Sequence, residues 1–230
     1  MDSHLGPGAQ DRCGADRILA SRKRSGGRDP SICRFDSTIG SFGALVCVVA
    51  SLPVLSMPTA YLGLGSNRGE RLRHLQSAVD GLARHDSVTV RAVSSVYQTE
   101  AHTLPGDEQP DFLNAVVALA TSHSPEDLLL LAQEVERAEG RPPEEERRRW
   151  APRVLDVDLL VVGMAVRDTP DLTLPHPRLA ERRFVLQPLA DVNPDLYVPA
   201  PFDATVQELL DRCPDEADVV RTRMALQEPR

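Results

Sequence analysis

The chain has 230 residues, 41% of them hydrophobic, and a formal net charge of −8; that fits one ordinary domain with extras or two small ones, and it disfavours a general nucleic-acid surface. Lys23 is the only lysine, so a G-x-x-x-x-G-K-[ST] phosphate loop is excluded and any phosphate binding falls to arginine. Cys13, Cys33, Cys47 and Cys213 include no C-x-x-C pair, so neither a disulfide framework nor a zinc site is indicated, in keeping with a reducing cytoplasm.

In chain order, "SRKRSGGRDPS" is polar and turn-rich and reads as disordered, while "FGALVCVVASLPVL" (42–55) is apolar, broken by Pro53 and short for a membrane span. Residues 1–56 are therefore expected to be a disordered extension or a mis-called start before a domain over 57–230. "TAYLGLG" (59–65) reads as a strand. "ERLRHLQSAVDGLARH" (70–85) reads as a helix with Leu72, Leu75, Val79 and Leu82 on one face. "SVTVRAVSSVYQT" (87–99) and "FLNAVVALAT" (112–121) read as strands. "SPEDLLLLAQEVERAEG" (124–140) has Ser124 to cap a helix, Pro125 at its first position and Gly140 to end it. "RVLDVDLLVVG" (153–163) is the next strand, followed by a loop with short helices and a helix near 203–212 capped by Asp203. The β-α-β-β-α-β order is the ferredoxin-like, α+β pattern with additional C-terminal helices.

The last of these strands carries two carboxylates. Residues two apart on a strand share a face, so Asp156 and Asp158 point one way and Leu155, Val157 and Leu159 the other. Paired carboxylates repel unless a cation, a proton or arginines relieve them, and such a pair suits Mg²⁺ with substrate phosphates completing its shell. A solvent-facing strand edge would read the same from the pair alone. The connection leading into it, "EGRPPEEERRRWAPR" (139–153), crowds Arg141, Arg147, Arg148, Arg149 and Arg153 around Trp150, as a polyphosphate would require and as a mobile lid would allow. Its glutamates are equally compatible with a solvated loop. "GLGSNRG" (63–69) reads as a close backbone approach near a helix N-terminus or a tight turn. Phe112 and Asn114 share a strand face, and with Phe184 they could clamp a flat heterocycle and read its polar edge, or be ordinary core. His176, between two prolines, could be held near a phosphate or simply lie in a turn.

Taken together, "YLGLGSN", "VSSVYQTE", "QPDFLNAVV", "EGR…RRRWAPRVLDVDLL" and "LPHPRLAERRFVLQPL" resemble the 6-hydroxymethyl-7,8-dihydropterin pyrophosphokinases of folate synthesis over about residues 58–200. The resemblance implies transfer of pyrophosphate from ATP to the pterin hydroxymethyl with release of AMP. It implies that Asp156 and Asp158 hold two Mg²⁺ ions, that Phe112 and Phe184 clamp the pterin, and that Thr99 and Asn114 hydrogen-bond it. It implies lid and phosphate roles for Arg141, Arg149, Trp150 and Arg153, a nucleotide-lining role for Gln133 and Glu136, and nucleotide or phosphate contacts for Thr173, His176 and Arg182. The expected partners are these small molecules, with no nucleic acid and no membrane, in a cytoplasmic monomer. Three features depart from the family pattern: the lid is longer than in short members, leaving Arg147 and Arg148 as alternatives for its second arginine, Glu100 stands where proline is common, and the long N-terminal extension has no family counterpart. The competing readings are a silent binding domain that keeps the fold and a different Mg²⁺ enzyme such as a nucleotidyltransferase.

Overall fold

The computed structural model describes residues 57–101, 109–142 and 151–229. The expected extension over 1–56, and Arg147, Arg148, Arg149 and Trp150 of the expected lid, lie outside them.

Strand β1 (Thr59–Ser66) is an inner strand of the main sheet. It pairs antiparallel with β4 (Phe112–Thr121) on one side and with β5 (Asp156–Val162) on the other. The run expected as one strand over 87–99 is two, β2 (Val88–Val93) and β3 (Tyr97–Thr99). The break has a local cause: the Val116 N–H donates to the Ser94 hydroxyl at 2.9 Å while the Ser94 N–H donates to the Val116 carbonyl at 2.9 Å. A side chain thus takes the place of a ladder partner. Both short strands pair with β4, which is long enough for the two of them. A last strand, β10 (Val219–Arg221), pairs with the outer edge of β3.

Helices cover both faces. On one, Leu62, Leu64, Val117, Leu119, Val157 and Leu159 pack against Leu75, Val79 and Leu82 of α1 (Arg71–Ala83) and Leu128 and Ala132 of α2 (Pro125–Ala138). On the other, Tyr61, Val116, Ala118 and Leu160 pack against Leu186 and Leu189 of α3 (Arg183–Val192) and Leu209 of α4 (Val206–Asp211). Burial on both faces explains why β4 is apolar without alternation. The class is α+β, helices on an antiparallel sheet. Short pairs β6 (Arg167–Asp168) with β7 (Thr173–Leu174), and β8 (Tyr197–Val198) with β9 (Ala204–Thr205), line the connections.

The helix ends follow the capping chemistry. Ser124 and Asp127 form a reciprocal capping box at α2. At α4 the cap is Thr205, boxed with Glu208, and not Asp203 as expected. Thr205 has a glutamate three residues on, and Asp203 is diverted to a positive φ of 47° with its carboxylate accepting from the Tyr197 hydroxyl. Among the described residues no helix is long and apolar enough to cross a membrane.

Candidate active site

The site begins with what the sheet leaves out. Cross-strand pairing aligns Tyr97, Asn114, Gly65 and Asp156 in one row, and Val116, Gly63 and Asp158 in the next. Both glycines lie inside β1, and of the two readings of this stretch the tight strand-to-helix turn is the one formed, at Gly69 (φ 66°), with α1 starting at Arg71. A Cβ at Gly65 would sit 3.3 Å from Asn114 Oδ1 and 3.9 Å from the Asp156 Cβ; one at Gly63 would lie in ordinary contact with Leu160 at 3.5 Å. The glycines strip the floor bare between the Phe112–Asn114 end of β4 and the carboxylates of β5. Over that floor lies a cavity of about 580 Å³, lined by Thr99, Phe112, Asn114, Arg153, Asp156, Asp158, Arg182 and Phe184, all singled out from the sequence.

One half is aromatic and amide-lined. Asn114 Nδ2 donates to Thr99 Oγ1 at 2.8 Å in buried surroundings. That bond fixes the amide and leaves Oδ1 over Gly65. Phe112 and Phe184 are half-buried walls, and the Arg182 guanidinium lies 5.8 Å from the centre of the Phe184 ring.

The other half is charged, and its two carboxylates are unequal. Asp156 Oδ1 accepts from Arg141 at 2.6 Å and its Oδ2 accepts from Arg153. Burial pushes this carboxyl up, but Arg153 and Arg141 outweigh it and hold it below the usual range. Among the described residues Asp158 pairs with Arg182, at 3.4 Å. Burial and the charge of Asp156 together push it up to about 6.

Local structure aims the arginines. Gly140 turns left-handed (φ 87°), and the Arg141 N–H returns to the Glu136 carbonyl at 3.0 Å, the helix-ending arrangement that glycine makes cheap. Arg141 is thereby folded back over Glu136, 4% exposed, whose Oε1 accepts from the Arg141 guanidinium and from the Val157 N–H at 2.8 Å. Arg153 is gripped by Asn67, fully buried: Asn67 Oδ1 accepts the Arg153 N–H at 2.6 Å, and the Asn67 N–H donates to the Arg153 carbonyl at 3.0 Å. This grip is why β5 begins at Asp156 and not at residue 153. His176 Nδ1 accepts the Arg178 N–H at 3.1 Å, and burial with nearby Arg182 and Arg178 pushes its pKa down to about 4. The ring is therefore neutral near pH 7, with Nε2 3.5 Å from Arg182 Nη1.

The remaining expected positions lie elsewhere. Glu136 does not line the cavity but braces Arg141 beneath it. Gln133 is exposed on α2, and Thr173 is half-buried, paired with Asp168; neither lines the cavity. Arg149 and Trp150 are outside the described residues. Sequence reasoning missed Asn67, Arg178 and Asp215; an asparagine directly after the first strand was the one available sign.

A family model described as 7,8-dihydro-6-hydroxymethylpterin-pyrophosphokinase (HPPK) matches residues 61–194. The 2-amino-4-hydroxy-6-hydroxymethyldihydropteridine pyrophosphokinase of Bacillus subtilis (strain 168) is 42% identical over 149 residues, 65% of this chain and 86% of that protein. The Pseudomonas aeruginosa protein of the same name is 40% identical over 156 residues, 68% of this chain and 92% of its own. The solved wild-type Plasmodium falciparum HPPK-DHPS with pteroate superposes with a TM-score of 0.52 at 12% identity, covering 68% of this chain and 44% of that one, a likeness of fold alone. With the family model spanning more than half its length, the chain belongs to the 7,8-dihydro-6-hydroxymethylpterin-pyrophosphokinase family.

Proposed function

We propose that this cavity performs the family's reaction, moving the pyrophosphoryl group of ATP to the hydroxymethyl of 6-hydroxymethyl-7,8-dihydropterin and releasing AMP, with Mg²⁺ held by Asp156 and Asp158. The observation that carries the reading is the bare glycine floor joining an aromatic-and-amide pocket to an arginine-ringed carboxylate pair. A flat heterocycle fits between Phe112 and Phe184, with Thr99 and Asn114 at its polar edge. A polyphosphate fits among Arg153, Arg182 and the imidazole of His176.

The donor set suits Mg²⁺. The described residues hold no cluster of three or more His, Cys, Asp or Glu, and two carboxylates without further protein ligands are what Mg²⁺ takes when substrate phosphates and water complete its shell. The raised pKa of Asp158 fits the same donor set, since a carboxylate crowded by its neighbour is relieved by a cation. Mg²⁺ bound there would neutralise phosphate charge; two ions are the number the family resemblance implies.

The chain's own contribution is alignment and charge. Phe112, Phe184, Thr99 and Asn114 orient the pterin so that its hydroxyl faces the β-phosphorus in line. Arg141 and Arg153, which hold Asp156, are set beside the path of the developing negative charge. Arg149 and Trp150 are assigned to the closing lid on the family resemblance, as are Gln133, Glu136 and Thr173 to the nucleotide side. We also infer the ferredoxin-like arrangement, supported by the order of β4, β1 and β5 with β2 and β3 sharing one edge, and, on the family resemblance, a cytoplasmic monomer. The test is product identity by ³¹P NMR after incubation with ATP, Mg²⁺ and reduced hydroxymethylpterin. AMP and a pyrophosphorylated pterin support the reading; ADP, or no pterin-dependent turnover, refutes it.

A further inference from the structure

The family match ends at residue 194, yet the chain beyond it returns to the aromatic half of the cavity. Cys213 is buried against the α3–α4 side of the sheet, and Pro214 and Asp215 line the cavity wall next to it. The chain then runs to β10, where Val219 pairs with Thr99 and Arg221 with Tyr97. It is fastened there by Thr222, whose N–H and hydroxyl both donate to the Val96 carbonyl at 2.9 Å. One short segment therefore touches two walls of the pocket, β3 with Thr99 and α3 with Phe184.

Asp215 makes the connection to α3. The helix begins at Arg183, and the residue before it, Arg182, offers no side-chain acceptor to the first turn. Asp215 supplies one from outside. Its Oδ2 accepts the Arg183 N–H at 3.0 Å and its carbonyl accepts from Arg183 Nε at 2.8 Å. Its Oδ1 accepts the Ala217 N–H at 3.0 Å, which fixes the carboxylate's own orientation. A carboxylate at a helix N-terminus also matches the positive end of the helix dipole. Phe184 is the second residue of this helix. Without the tie, the first turn has no other protein acceptor for the Arg183 N–H among the bonds the structure shows, and a first turn lacking such a partner frays.

We infer that Asp215 is a positioning residue for the heterocycle pocket, acting as a clasp that sets Phe184 against Thr99 and Asn114. The inference rests on the reading of that half of the cavity as the pterin site. It predicts a selective defect. Arg182 adjoins the same turn but is also held by Asp158 of β5, and Arg153 and Arg141 are held by Asp156, so pterin binding should suffer well beyond nucleotide binding.

The experiment is calorimetric titration of reduced hydroxymethylpterin into the full chain saturated with Mg²⁺ and a non-hydrolysable ATP analogue, and separate titration of the analogue. Asp215→Ala is expected to weaken pterin binding by about tenfold, the scale of a lost helix cap, with analogue affinity unchanged within about twofold. Asp215→Asn keeps an acceptor for the Arg183 N–H and should restore most of the affinity. Amide hydrogen exchange at Arg183 should quicken in Asp215→Ala and not in Asp215→Asn. Equal pterin affinity in the wild type and Asp215→Ala would overturn the clasp. So would parallel loss of pterin and analogue affinity, which would make Asp215 a general prop of the fold; exchange quickening across the whole of α3 would show the same in a variant too unstable to titrate. A wild-type chain that bound no pterin would overturn the reading of the site and the clasp's role with it.

Discussion

Replacing Asp158 by asparagine should stabilise the metal-free protein at neutral pH, against the usual expectation for an active-site carboxylate. Burial and the neighbouring charge of Asp156 push the Asp158 carboxyl from 3.8 up to about 6. The folded state therefore holds this proton more tightly than the unfolded state does. Stability from this group is complete below about pH 4, where both states are protonated, and is lost as pH rises through about 6. Taken whole, the shift corresponds to about 3 kcal/mol against the ionised form. The side chain is 38% exposed, so solvent screening brings the effect to about 1 kcal/mol. For a domain of this size that is about 2–4 °C in melting temperature. The assay is thermal unfolding in EDTA from pH 4 to pH 8. Asp158→Asn should melt above the wild type by that margin at pH 8, and the difference should close by pH 4. Asp156→Asn should do the reverse, because Arg153 and Arg141 hold that carboxyl below its usual range; it should be destabilising at pH 8. If Asp158→Asn were neutral or destabilising at pH 8, the two carboxylates would not be crowded as described, and the physical argument for a cation between them would fail.

Other substitutions probe the floor and the arginines. Gly65→Ala places a methyl 3.3 Å from Asn114 Oδ1, and titration should show pterin affinity down by about tenfold with melting temperature within about 2 °C. Arg141→Ala should slow the chemical step by on the order of 10²-fold while MgATP affinity changes far less; single-turnover quench-flow paired with analogue titration checks it, and proportional loss of affinity would make Arg141 a plain binding group. Asn67→Ala removes both side-chain hydrogen bonds that hold Gln109 and the Arg153 backbone and should lower kcat and melting temperature together, which steady-state kinetics beside thermal unfolding would reveal.

Much of the site was legible because the strand period is short and strict. Asp156 and Asp158, and Phe112 and Asn114, had to share faces once their strands were recognised, and they do. Ser124, Pro125 and Gly140 marked α2 because caps act within a single turn. What was not legible depends on residues distant in sequence. The glycines of β1 declared themselves only when Asn114 and Asp156 were seen on either side. Glu136 reads as a helix residue that could face a nucleotide, and only the return of the chain at Gly140 shows that it braces Arg141. The strand β10, three residues with no periodicity to detect, owes its existence to the open edge of β3. Thr205 prevailed over Asp203 because a capping box needs both partners, and Glu208 stands at the right distance only from Thr205.

The most direct test of the central claim is equilibrium binding of Mn²⁺, as a paramagnetic stand-in for Mg²⁺, to the protein in the presence of a non-hydrolysable ATP analogue, followed by the loss of the free-ion EPR signal. The wild type should take up Mn²⁺ only together with the nucleotide, since two carboxylates alone leave most of the ion's shell to phosphate and water. Asp156→Ala and Asp158→Ala should each abolish that uptake while the circular dichroism of the fold is kept. Uptake by either variant at the wild-type level would contradict the account, because the ion would then be held by the nucleotide or by other residues and the paired carboxylates of β5 would not be its site.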